Sequence, residues 1–147
     1  MSDSVLLAED NAADVLFFKR ACQKVGWSPS LKVVANGHDA LTVLSGGPAS
    51  AGVALDRAIL DIKLPLLSGL EILKWIRASE RWAGLPVVVL TSSQQPEDIE
   101  AAFRLGCDAY LVKPVKFADL TRVAGALRAW SAGGAFQDLP ERMRPPS

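Results

Sequence analysis

Short apolar runs alternate along the chain with segments whose apolar residues recur every three or four positions. Five runs read as strands: SVLLA (Ser4–Ala8), LKVVA (Leu31–Ala35), RAILD (Arg57–Asp61), PVVVLT (Pro86–Thr91) and AYLVK (Ala109–Lys113). Most are apolar nearly throughout, the mark of strands covered on both faces. Between them the period changes to that of a helix. Val15, Phe18, Cys22 and Val25 share one face of a segment over 12–25. Further helices are predicted over 38–44, 69–78 and 96–105. A last one over 117–130 aligns Phe117, Leu120, Val123, Ala124 and Leu127. Gly26 and Gly106 suit helix C-termini, and Pro96 before Glu97 and Asp98 suits a first helical turn. Strand–helix alternation with short connections predicts an α/β fold, with a doubly wound, five-stranded parallel sheet and right-handed crossovers.

Composition excludes several function classes. The 147 residues suit one domain with a real core, and 50% of them are apolar. Lys plus Arg equals Asp plus Glu at 16 each, so the basic surplus that phosphate contacts require is missing and no nucleic-acid partner is expected. No apolar run has the length to cross a bilayer, and the acidic start MSDSVLLAED is unlike a signal peptide. The expectation is a cytoplasmic protein with no membrane partner. Cys22 and Cys107 lie in segments that read as helix or helix end and read as reduced, semi-buried thiols.

In a doubly wound sheet the groups at the carboxyl ends of strands converge at a crevice. Glu9 and Asp10 follow the first strand, Asp61 ends the third, Thr91 and Ser92 end the fourth, and Lys113 ends the fifth. Each has an ordinary role when taken singly. Glu9, Asp10 and Asn11 could cap a helix, and Asp14 could favour that helix's positive end. Together they ask for more. Three carboxylates in one crevice repel one another unless a cation neutralises them, and hard oxygen donors with no Cys or His cluster suit Mg²⁺. A lysine and a hydroxyl are superfluous for a metal alone, but fit a phosphoryl group.

The segments LLAEDNAAD, AILDIKLP, VVVLTSS and AYLVKP resemble the signature segments of the receiver domains of two-component response regulators. The resemblance covers roughly residues 4 to 130, in order and spacing. It implies a flavodoxin-like and CheY-like (βα)5 fold with strand order 2-1-3-4-5. Asp61 would be the phosphoacceptor, supplied by a phosphohistidine of a histidine kinase. Glu9, Asp10, Asp61 and the backbone carbonyl of Lys63 would hold Mg²⁺. Thr91 and Lys113 would bind phosphoryl oxygens, Thr91 and Tyr110 would form a conformational switch, and the Lys113–Pro114 bond would be cis. Lys63 and Ser93, each two residues beyond a site residue, would sit at the mouth, where Lys63 would influence dephosphorylation.

By that resemblance the receiver domain is expected over 1–131, leaving 132–147 as a flexible or docking tail with Phe136, Leu139 and Met143 as its spaced apolar residues. A chain of this kind would act through an unidentified downstream protein. EDNAAD, the run from VVVLTSS to YLVKP, and the absence of an effector domain are similar to small regulators paired with phytochrome-type histidine kinases, commonly homodimers through the fourth helix, fifth strand and fifth helix. Three other readings remain. A pseudo-receiver would bind a partner without phosphorylation. A Mg²⁺-dependent aspartyl-phosphate phosphatase would usually need an acid two residues after its nucleophile, where this chain has Lys63. A flavodoxin-like cofactor binder would need a phosphate loop after the first strand.

Overall fold

The computed structural model describes residues 3–46, 54–130 and 135–145. Strands β1 (Ser4–Ala8), β2 (Ser30–Val34), β3 (Arg57–Leu60), β4 (Val87–Thr91) and β5 (Ala109–Val112) alternate with helices α1 (Ala12–Lys24), α2 (Gly37–Ser45), α3 (Gly69–Ala78), α4 (Pro96–Arg104) and α5 (Phe117–Arg128). With a sixth strand, β6 (Arg142–Met143), the order across the sheet is β2-β1-β3-β4-β5-β6, with every neighbour parallel except the last. The expected order 2-1-3-4-5 is present. The expected count of five is corrected to six among the described residues, because Arg142–Met143 forms β6, antiparallel to β5.

Strand pleating sends alternate residues into two cores. Val5, Leu7, Ile59, Val88 and Leu111 pack against Phe18 and Cys22 of α1 and Val123 and Leu127 of α5. Leu6, Ala8, Leu60 and Val89 face Val43 and Leu44 of α2, Ile72, Leu73 and Ile76 of α3, and Ala102 of α4. Gly26 (φ 71°) and Gly106 (φ 98°) lie just past helix ends in the left-handed conformation, as expected of glycine there. Both cysteines are buried free thiols, with burial pushing Cys22 up to about 11 and Cys107 up to about 12. No helix among the described residues is long and apolar enough to cross a membrane.

Arg57 opens β3 as a buried charge, and its surroundings explain how that is tolerated. Its guanidinium lies 5.0 Å from the Trp27 ring and 5.5 Å from the Trp130 ring, while it pairs with Asp3 and donates to the Leu127 carbonyl. A buried arginine is stable only when paired and hydrogen-bonded, and here aromatic faces supply the rest of its shell.

The tail meets its own domain over 135–145. Phe136 is 1% exposed, with its ring 5.6 Å from that of Trp130; Leu139 packs against the α1/α5 core and Met143 against the other. The Val112 amide donates to the Glu141 carbonyl at 2.9 Å, and Arg122 of α5 reaches the Glu141 carboxylate at 3.3 Å. The spaced apolar residues of a linker-like segment are thus anchors, and what they dock on is the edge of this chain's own sheet. The boundary expected at 131–132 lies outside the described residues.

Replacing Phe136 by Ala is expected to lower unfolding stability by about 3–5 kcal/mol, the cost of a cavity at a fully buried aromatic position. Urea titration measures it; an unchanged midpoint means the tail is not docked.

Candidate functional site

The site is assembled by strand register. Ala8 pairs with Leu60, so Glu9 and Asp61 leave adjacent parallel strands at the same level. The Asp61 amide donates to the Ala8 carbonyl at 3.0 Å and the Glu9 amide to the Val34 carbonyl at 2.9 Å, extending the ladder one residue past the last paired position. Thr91 pairs with Val112, and the Lys113 amide donates to the Thr91 carbonyl at 2.8 Å. Four strand ends therefore present carboxylate, carboxylate, hydroxyl and ammonium to one crevice.

The Lys113 ammonium lies at its centre. It contacts the Asp61 carboxylate at 2.7 Å and that of Asp14 at 2.9 Å, and it pairs with Glu9. Glu9, Asp61 and Thr91 are buried, and Asp10 is exposed. Burial alone would lower the Lys113 pKa; hydrogen bonds to Asp61, Glu9 and Asp14 outweigh it and raise the pKa above the ordinary lysine value. Burial raises Glu9 above the usual carboxylate range despite opposing bonds from Lys113 and the Asn11 amide. The ammonium stays charged, and the buried glutamate is reluctant to ionise without a further cation.

Glu9, Asp10 and Asp61 each offer an oxygen within 4.8 Å of the others'. Glu9, Asp14 and Asp61 surround one ammonium with Asp10 beside them, so the crevice keeps a net negative charge. A donor set made only of hard oxygens fits Mg²⁺ or Mn²⁺, which keep part of their water shell.

The loop after Asp61 completes the wall. The Lys63 amide donates to Asp61 Oδ1 at 3.2 Å. Leu66 takes φ 72°, a left-handed conformation costing a non-glycine residue about 1 kcal/mol. Ser68 then caps α3 by accepting from the Glu71 amide. A Cβ at Gly69 would lie 2.0 Å from the Asp61 carbonyl oxygen, so only glycine lets α3 start against the backbone of Asp61.

A model of the response regulator receiver domain family matches residues 5–124. The chain belongs to this family. Among curated proteins, it is 35% identical over 133 residues to the probable methanogenesis regulatory protein FilR2 of Methanothrix harundinacea, covering 88% of this chain and 83% of that one. Among solved structures, it is similar to the phosphorylated cyanobacterial phytochrome response regulator RcpA (TM-score 0.80, 26% identity, 86% and 91% of the two chains). It is also similar to the bacteriophytochrome response regulator RtBRR (TM-score 0.73, 34% identity, 95% and 85%).

In this receiver domain the structure gathers Glu9, Asp10, Asp61, Thr91 and Lys113 into one crevice, with the Lys63 amide on its wall. One expectation changes. No peptide bond among the described residues is cis, so Lys113–Pro114 is trans. The trans form is intrinsically favoured by about 0.5–1 kcal/mol even before proline, and the Lys113 contacts are made without the cis isomer. Tyr110 is fully buried, and its hydroxyl donates to the Ser93 carbonyl at 2.8 Å.

Two residues escaped the sequence reading. Asp14, placed there as a helix-end acid, is a partner of Lys113. Val15 and Phe18 mark α1's inner face, and Asp14 one position before Val15 turns to the crevice; the α1 register was the available signal. Gly69 carried no signal, since its constraint is a contact with another segment's backbone.

Gly69→Ala is expected to lower stability by about 2 kcal/mol or more, as overpacking against backbone does. Gly84→Ala, where an added Cβ meets nothing within 4 Å, is the control. Equal unfolding midpoints for the two variants would refute the close-approach constraint.

Proposed function

We propose that this receiver domain is a phosphorelay switch in which Asp61 accepts a phosphoryl group from a phosphohistidine of a histidine kinase. The observation that carries this reading is the half-neutralised pocket: Asp61 holds Lys113 on one oxygen and the Lys63 amide on the other, beside two further acids and a buried threonine. An Asp61 oxygen attacks phosphorus, the nitrogen–phosphorus bond breaks, and the imidazole nitrogen leaves with the bonding pair. Lys113 and the Thr91 hydroxyl receive the equatorial oxygens as charge spreads over them. Glu9, Asp10, Asp61 and the Lys63 carbonyl would hold Mg²⁺, which offsets the charge of acceptor and donor together. The chain's part is positioning and electrostatics, as suits a signalling protein and not a classical enzyme.

A groove of about 340 Å³ opens from the crevice between α1 and the loop from β5 to α5. Phe17, Val115 and Phe117 line it and are substantially exposed, while Lys113 and Glu9 reach its inner end. An apolar platform leading to the acceptor suits the kinase helix that carries the phosphohistidine. Because the solved relatives RcpA and RtBRR are phytochrome response regulators, a phytochrome-type kinase belongs to the same reading. So do a cytoplasmic location and a homodimer that uses α4, β5 and α5, a surface to which β6 now contributes.

Incubation with Mg²⁺ and a small acyl phosphate, followed by intact-mass measurement, tests the acceptor. The expected result is one phosphate-sized gain in the wild type and none in Asp61→Asn. No gain in the wild type would favour the pseudo-receiver reading.

Transfer from a phosphorylated kinase tests the groove. Val115→Asp is expected to slow it roughly tenfold or more through loss of one docking contact of about 1.4 kcal/mol. Uptake from the small donor should be unchanged, and equal slowing by both routes would remove the groove from the mechanism.

A further inference from the structure

Lys63 and Ser93 come from different loops, yet their backbones and side chains form one arrangement. The Lys63 amide rests on Asp61 Oδ1 at 3.2 Å, and the Ser93 amide points to Thr91 Oγ1 at 3.4 Å. Each residue is thus rooted on a group that would hold the phosphoryl. Their side chains then meet on a third residue. Asp98 Oδ2 accepts from the Ser93 hydroxyl and lies 3.8 Å from Lys63 Nζ.

Asp98 is the third residue of α4, where a carboxylate ordinarily reaches back to the amide of the capping residue. That amide, of Gln95, is instead satisfied by Ser93 Oγ at 3.3 Å, and Gln95 makes no side-chain cap. The Asp98 side chain, 17% exposed, is therefore turned away from its own helix end and toward the two loops. Ser93 also carries the contact onward, since its carbonyl accepts from the Tyr110 hydroxyl. The Lys63 side chain is 72% exposed, and an ion pair so open to solvent adds little to stability. Its consequence is where it holds Lys63.

We propose that Asp98 is a positioning residue that latches Lys63 and Ser93 across the α4 side of the phosphoacceptor and so prolongs the life of the acyl phosphate. The inference rests on the phosphoacceptor reading of Asp61. With the latch closed, the two side chains occupy the space over the phosphoryl's outer edge. A hydrolytic water then has less room to line up opposite the Asp61 oxygen–phosphorus bond. The groove on the α1 side stays open for the donor, so the latch restricts water without restricting phosphorylation.

The test is the half-life of phosphorylated full-length protein after the small donor is removed, followed by intact mass. Asp98→Asn is expected to shorten it roughly three- to tenfold, as loss of a hydrogen bond and a weak ion pair acting on one barrier would do. Asp98→Glu should stay within about twofold of wild type, because the carboxylate is kept. The Asp98→Asn unfolding midpoint should not move. In a Lys63→Ala/Ser93→Ala background, Asp98→Asn should have no further effect. An unchanged or longer half-life in Asp98→Asn overturns the proposal, as does a full effect in that background. A wild type that takes up no phosphate overturns the acceptor reading and this one together. A wild type that takes it up, with equal lifetimes in the two proteins, overturns this one alone.

Discussion

The arrangement of the crevice depends on one ammonium among four carboxylates. Lys113 touches Glu9, Asp14 and Asp61, with Asp10 beside them, and no other side-chain cation in the described residues contacts these acids. One positive charge makes the cluster tolerable in a partly dry site without making it neutral. The charge left over suits a divalent cation, whose hard-oxygen ligands Glu9, Asp10 and Asp61 would be. A crevice with two lysines would have less need of a metal. One with none would be costly to fold, since Glu9 is already pushed toward its neutral form by burial.

Sheet register delivers the charges. Parallel strands fix the level at which neighbours end, so Glu9 and Asp61 emerge side by side, and Lys113 emerges next to Thr91. The one-residue overhang beyond each paired strand lets a polar side chain turn into the crevice while its backbone amide still completes the ladder. Gly69 closes this frame from below by letting α3 begin against the Asp61 backbone.

The far side of the sheet is governed by different chemistry. β6 covers the edge of β5, where an open row of amides and carbonyls would otherwise invite pairing with another chain. Met143 pairs with Tyr110, whose hydroxyl is bonded to the loop that carries Ser93. The tail therefore abuts the one tyrosine of the chain, which is fully buried in β5. At the opposite pole, Arg57 between Trp27 and Trp130 joins the start of β3 to the end of α5, close to where the tail is anchored by Phe136.

The alternation of apolar runs and helical periods, with glycine and proline punctuation, was enough to determine five strands, five helices and a parallel sheet, while the strand order came only from the family resemblance. It also determined which residues stand at the strand ends, because a residue's place along a strand is a local property. What it left open involved contacts between distant segments. Asp14 reads as a helix-end acid until α1 is docked beside α5 and Lys113 reaches across to it. Leu139 and Met143 read as a linker until the free edge of β5 and the apolar surface near Trp130 are there to receive them. Asp98 reads as an ordinary first-turn acid, and its turn toward Lys63 and Ser93 exists only once α4 is packed beside the two loops that carry them. The place of Tyr110 is of the same kind: its ring is buried and its hydroxyl reaches the Ser93 carbonyl only once β5 and the loop after β4 are packed together.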